Sequence, residues 1–125
     1  MNIPNDLKYT KDHEWIKVEG NTGTIGITDF AQGELGDVIY IDITASGNIN
    51  QGDSCGSIEA VKTVSDIFAP VSGKILDTNK SVNENPASVN NDPYGEGWIL
   101  KIELTNPSEL DSLLTATQYK EQVGA

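Results

Sequence analysis

Glycine and turn residues cut this chain every ~8–12 positions, and the runs between them alternate apolar with polar side chains. That spacing leaves room for strands and for few full-length helices, so the expected class is mostly β, a sandwich or barrel. In Trp15-Ile16-Lys17-Val18-Glu19, Ile16 and Val18 share one face and Lys17 and Glu19 the other. Gly20-Asn21-Thr22-Gly23 then turns the chain, and Thr24-Ile25-Gly26-Ile27 returns it with Ile25 and Ile27 inward, which reads as a hairpin. Thr28 to Gly36 is a short helix, with Thr28 or Asp29 to cap it, Gly36 to end it and Gly33 weakening it. Asp37 to Ile43 is a β-branched strand with Ile39, Ile41 and Ile43 on its apolar face.

The pattern tightens after Gly47. A turn at Asn50–Asp53 precedes a strand over Cys55–Glu59, a turn at Val61-Lys62 and a strand over Val64–Phe68 that ends before Pro70. Val71-Ser72-Gly73 turns into Lys74-Ile75-Leu76, and Asn79 to Asn91 is a polar stretch. The last strand runs from Trp98 to Leu104, with Trp98, Leu100, Ile102 and Leu104 on one face. Ser108 with Asp111 reads as a capping box ahead of Leu110, Leu113 and Leu114; Thr115 with Gln118 reads as a second, with Tyr119 and Val123 four apart. This helical segment, about 108–122, is expected to cover an end or edge of the sheet. Ile58, Ile67, Ile75 and Leu100 are expected in the core. Ile49-Asn50-Gln51-Gly52 and Val82-Asn83-Glu84-Asn85 form a weak repeat, with Gly52 and Asn85 both tolerant of positive φ.

Composition narrows the function. One domain is expected over the 125 residues, with its core at about 7–104. Nineteen Asp and Glu face eight cations, for a net charge of -11. All eight are lysines. That excludes a nucleic-acid backbone and an anionic membrane surface as partners, because both need a basic face. Cys55 is the only cysteine and His13 the only histidine, so neither a disulfide framework nor a Cys/His zinc site exists. No apolar run nears ~18 residues, and the N-terminus has neither an apolar core segment nor the arginines of a transit peptide. A cytoplasmic protein, bacterial in type, is expected.

The usual catalytic sets are also absent: no glycine-rich loop feeding a helix, no arginine clamp, no metal cluster. The unusual segment is Gly56 to Gly73, where Lys62 stands alone among apolar neighbours at a predicted hairpin tip, with Glu59 three before it and Asp66 four after. A second enzyme can acylate a lysine held on a rigid, protruding turn, which removes its charge and leaves a long arm.

The segments Gly-Asp-Ser-Cys-Gly-Ser-Ile-Glu-Ala-Val-Lys and Ile-Phe-Ala-Pro-Val-Ser-Gly-Lys-Ile resemble the lipoyl and biotinyl carriers. Biotin carriers set methionine on both sides of the lysine. Here Val61 and Thr63 flank it, which points to lipoyl. From about Leu7 to Glu121 the chain resembles the H-protein family of the glycine cleavage system. The resemblance rests on Lys8-Tyr9 with His13-Glu14-Trp15, Gly26 to Ala31, Leu35 to Val38, Glu59-Ala60-Val61-Lys62, Val82 to Pro86, Asn91 to Gly95 and Gly97-Trp98. Ordinary lipoyl domains lack the His13-Glu14-Trp15 and Pro93-Tyr94-Gly95 segments.

The resemblance implies a barrel-sandwich hybrid of two antiparallel sheets with short helices, one C-terminal. It implies a non-catalytic monomer carrying lipoic acid covalently on Lys62. A pyridoxal phosphate-dependent glycine decarboxylase would load the arm with the aminomethyl group of glycine, an aminomethyltransferase would unload it, and dihydrolipoyl dehydrogenase would reoxidise it. A ligase or transferase would attach the lipoyl group, with Glu59, Ala60, Val61 and Asp66 as hairpin recognition residues. Two alternatives stay open: a lipoyl relay that supplies other lipoylated enzymes without glycine flux, and an interaction module with Lys62 unmodified. The resemblance places Glu14 beside the arm, and Glu14 with Asp66 is expected to hold the loaded arm's amine. His13 reads as a structural hydrogen-bonding residue, Cys55 as a small core residue, and Asp92-Pro93-Tyr94-Gly95 as a turn.

Overall fold

The computed structural model describes residues 1–124. Along the chain lie β1 (Lys8–Tyr9), β2 (Glu14–Glu19), β3 (Thr22–Ile27), α1 (Asp29–Leu35), β4 (Val38–Ile43), β5 (Asn48–Ile49), β6 (Ser54–Ala60), β7 (Val64–Phe68), β8 (Gly73–Thr78), α2 (Lys80–Glu84), α3 (Ala87–Asn91), β9 (Leu100–Leu104), a 3₁₀ turn (Pro107–Ser112) and α4 (Ala116–Val123). They form two antiparallel sheets, one of six strands in the order β1-β2-β3-β9-β8-β5 and one of three in the order β4-β6-β7. The expected mostly-β architecture of two sheets with short helices is present.

The sheets close on one apolar interior. Ile16 and Ile25 of β2 and β3, Leu100 and Ile102 of β9, and Ile41, Ile58 and Ile67 of the small sheet meet there, with Cys55 among them. Alternation along each strand sends these side chains inward and Lys17, Glu19 and Glu103 outward. A second cluster lies elsewhere: Ile3, Leu7, Tyr9, Trp15, Ala116 and Tyr119 pack together, with Tyr9 and Tyr119 stacked at 4.7 Å. The start of β2 is therefore buried on both faces. The C-terminal helix covers the β1–β2 end of the large sheet, and Trp15 lies over Gly26, its partner on β3, where a Cβ would come within 2.8 Å of the indole.

Local signals account for the caps. Thr28 accepts from the Ala31 N–H, Gly36 ends α1 at φ 77°, and the Thr115–Gln118 capping box is complete at α4. Gly56, at φ 151°, is a second enforced glycine, because a Cβ there would run into the Asp42 carbonyl of the neighbouring strand.

Five expectations are corrected. Ile39 is exposed, because a bulge between Val38 and Tyr40 shifts the register by one and turns Val38 inward instead. Trp98 leaves the Leu100 face: Ile99 and Leu100 are both fully buried, β9 starts at Leu100, and Trp98 packs with the second cluster under the Lys101 ammonium. Ile75 is only half-buried, beside a second bulge between Ile75 and Asp77. Ser108 caps nothing; its hydroxyl donates to Asn106, and the turn that follows is 3₁₀, while Leu114 bridges to Tyr9. The repeat is not structural, since Gly52 sits at φ 88° in a turn whereas Asn85 ends helix α2 at φ −135°.

Ile58→Ala and Ile67→Ala should each cost ~2–5 kcal/mol in urea unfolding, the loss expected for a buried aliphatic with a cavity left behind. Ile39→Ser should stay within ~0.5 kcal/mol of wild type, as for an exposed position.

Candidate functional site

The strands β6 and β7 pair from Ser54↔Phe68 to Glu59↔Val64, and their turn carries Val61, Lys62 and Thr63, all exposed. The Ala60 N–H donates to the Thr63 carbonyl at 2.8 Å and closes the turn. The Val61 N–H donates to the Asp37 carbonyl at 3.1 Å and fastens the turn to the loop between α1 and β4. Asn90 of α3 holds that loop. Its amide oxygen accepts from the Val38 N–H at 2.9 Å, and its amide nitrogen donates to the Gly36 carbonyl at 2.9 Å and to Gln32 at 3.0 Å. The Lys62 stem lies over Gly36, where a Cβ would stand 3.1 Å from Cε. A larger residue there would push the lysine aside.

Beside the hairpin is a cleft of about 120 Å³. Ile27, Ala31, Leu35 and Ile58 supply its apolar lining, and Asp12, Glu14, Glu34 and Asp66 supply four carboxylates; His13 and Ser65 complete it. Glu14 and Asp66, expected together from the sequence, do line one cleft, in different ways. Glu14 is 2% exposed, whereas Asp66 is exposed on the edge strand β7. The Thr10 hydroxyl donates to Glu14 Oε1 at 2.6 Å and accepts from the Glu14 N–H at 3.1 Å. The Phe68 N–H reaches Oε2 only at 3.4 Å. Burial outweighs these bonds and pushes the Glu14 carboxyl up to about 7. Glu14 also borders a groove of about 400 Å³ lined by Tyr9, Phe68, Pro70 and Leu113.

His13 is the one described non-glycine residue at positive φ, 71°. Its Nδ1 lies 2.8 Å from the Tyr119 hydroxyl, which lies 2.7 Å from the Thr28 hydroxyl. That network fits the structural role expected for His13; burial lowers its pKa against the opposing pull of Asp12 and Glu34. Of the hairpin candidates, Glu59, Val61 and Asp66 are exposed, but Ala60 is 4% exposed and presents no side chain to a partner. Cys55 is fully buried, and its thiol is pushed up to about 12, chiefly by burial. Asp92 to Gly95 forms a turn; the Pro93 carbonyl accepts from the Trp15 indole at 3.1 Å. Sequence reasoning missed Thr10, Gly36, Glu34 and Asn90. Thr10 stands four before Glu14, a spacing that closes a turn; the other three are brought in by packing.

These residues fit a lipoyl arm: an exposed lysine on a braced turn, next to a part-apolar cleft with one buried carboxylate, Glu14, and three exposed ones. Among the described residues no helix is long and apolar enough to cross a membrane, and no group of three or more His, Cys, Asp or Glu is placed to hold a metal.

Residues 7–125 match the family described as Glycine cleavage H-protein. The chain is 53% identical to a glycine cleavage system H protein of Staphylococcus haemolyticus and 51% identical to one of Staphylococcus saprophyticus, each over 99% of both chains. A crystal structure of a glycine cleavage system H protein from Mycobacterium marinum superposes with a TM-score of 0.90 at 39% identity, covering 98% of this chain and all of that one. The chain belongs to the glycine cleavage H-protein family, the non-catalytic lipoyl carriers of the glycine cleavage system.

Proposed function

We propose that Lys62 carries the lipoyl arm in this chain, and that Glu14, with Asp66 at the rim, receives the protonated amine of the loaded arm. The supporting observation is the position of Lys62, exposed on a turn fastened at Val61 and beside a cleft of four carboxylates. The attached group supplies a disulfide that takes up the aminomethyl carbon and is later reoxidised. Its partners in this reading are a pyridoxal phosphate-dependent glycine decarboxylase, an aminomethyltransferase, dihydrolipoyl dehydrogenase and a lipoate-attaching enzyme.

The chain's own residues have three tasks. The turn presents the lysine, and Gly36 leaves room for its stem. Ile27, Leu35 and Ile58 exclude water from the cleft floor. Thr10 holds the Glu14 carboxylate so that one oxygen stays weakly bonded, ready for a cation. Before loading, Glu14 is costly to ionise. A cation restores the charged form, so cargo and carboxylate stabilise each other.

Lys62→Arg should keep the fold and take up no lipoyl group, read as intact mass after incubation with a lipoate ligase, lipoate and MgATP. Lipoyl found on that variant would refute the assignment. Glu14 gives a pH test. Because its folded pKa is raised, its protonated form stabilises the fold, and that stability is lost as pH rises through about 7. Glu14→Gln copies the protonated form. It should match wild type near pH 4, below the ordinary carboxyl value, and exceed it by ~1–3 kcal/mol near pH 8.5, in urea titrations of the unloaded protein. In the loaded protein the sign reverses: Glu14→Gln should lose the aminomethyl group ~10-fold faster, the equivalent of one charge-assisted hydrogen bond, with a smaller effect for exposed Asp66→Asn.

A further inference from the structure

Six large hydrophobic side chains are exposed among the described residues, and four of them surround the lysine: Ile39 (51%), Tyr40 (54%), Val61 (71%) and Val64 (60%). Register explains their grouping. Tyr40 pairs with Glu59 and Glu59 with Val64, so the three form one row across the outer face of the small sheet, next to the turn. One row further from the turn, Asp42, Ser57 and Asp66 lie side by side. Ile39 joins them through the bulge. Val38 pairs with Ala60 and Tyr40 with Glu59, so Ile39 is the unpaired extra residue, and it is exposed. The bulge buries Val38 but gives up ladder regularity and leaves an isoleucine exposed; bulges of this kind re-aim side chains beside functional sites. From Gly36 to Phe68 the acids are Asp37, Asp42, Asp53, Glu59 and Asp66, and the only cation is Lys62.

We infer that this face, with Ile39, Tyr40 and Val64 at its centre and Asp42 and Asp66 behind, is the docking surface for the enzyme that attaches the lipoyl group. The inference rests on Lys62 being the attachment site. Reach selects this occupant over the other partners. A bare lysine amine stands only one side chain above the backbone, so an acylating enzyme must close over the residues at its base. Once lipoyl is attached, the reactive sulfurs lie more than twice as far out, and later partners can work without covering these strands. Charge completes the match, since the enzyme's contact surface needs an apolar centre and a basic rim, with association that slows as salt is raised. At that surface Lys62, having given a proton to water, forms an amide C–N bond with the acyl carbon of a lipoyl–nucleotide mixed anhydride. The nitrogen gives up its second proton to water, the acyl C–O bond breaks, and the nucleotide phosphate leaves with the electron pair.

The test compares four unlipoylated chains with a lipoate ligase, lipoate and MgATP, followed by intact mass: wild type, Ile39→Ser, Tyr40→Ser/Val64→Ser and Leu76→Ser. Leu76 is the control, exposed and apolar but on the large sheet. The expected result is a tenfold or greater loss of kcat/KM for Tyr40→Ser/Val64→Ser, a several-fold loss for Ile39→Ser and none for Leu76→Ser. Thermal midpoints should be unchanged, and so should the reactivity of Lys62 toward a small activated ester. Wild-type rates in the Tyr40→Ser/Val64→Ser chain overturn the inference, and so does an equal loss in the small-ester reaction, which would place the effect on the amine. Failure of wild type to gain lipoyl on Lys62 overturns the attachment site itself, a separate outcome.

Discussion

The hydrogen bond from the Val61 N–H to the Asp37 carbonyl decides where the lysine points. A free hairpin end sways; this one is tied to the loop that ends α1, and that loop is held in turn by three hydrogen bonds of Asn90. Asn90 belongs to α3, which with α2 covers the outer edge of β4, where Asn83 donates to the Ile41 carbonyl. The polar stretch from Asn79 to Asn91 is therefore the brace of the site. Asn79 begins the brace by capping α2 and donating to the carbonyls of Glu96 and Trp98. Asparagine suits such joints because it donates and accepts at once and carries no charge into a half-buried place.

Glu14 shows the opposite choice. A carboxylate at 2% exposure, beside Asp12 in the same cleft, is unfavourable in the unloaded protein, and its raised pKa measures that strain. The hydroxyl of Thr10 and the distant Phe68 N–H satisfy it only in part. A fully bonded, solvated glutamate would hold an amine weakly, as surface pairs do. In the role proposed for Glu14, that deficit in the cleft is what draws a cationic cargo to it.

Much of this was legible in the sequence because the information was local. Alternation in β2, β3, β6 and β9 named the core faces, Thr28 and Gly36 bounded α1, and the Thr115–Gln118 box began α4. The hairpin and its lysine followed from turn spacing. What failed was set across strands. The β4 bulge appears only when β4 meets β6, so strict alternation put Ile39 on the wrong face and hid the apolar patch. Nothing in the asparagine-rich stretch announces two short helices, since asparagine is a poor helix former and these are held by packing and caps. The carboxylates of the cleft come from the β1–β2 turn, the start of β2, α1 and β7, and their union is a product of the fold.

The small sheet comes from one stretch of chain, Val38 to Phe68, broken only by the two-residue β5 of the large sheet, while the large sheet needs β9 to join β3 to β8. A ribosome thus releases the lysine hairpin long before its supports. On its own that sheet would leave Ile41, Ile58 and Ile67 facing water, because Leu100 and Ile102 of the opposite layer are made some thirty residues later, and Asn90 is also still to come. The turn that presents Lys62 becomes rigid only in a chain whose far end has been synthesised and folded. A truncated or damaged copy would offer a loose lysine on an unformed surface, so with Lys62 as the proposed attachment site, attachment of the arm doubles as an inspection of the finished protein.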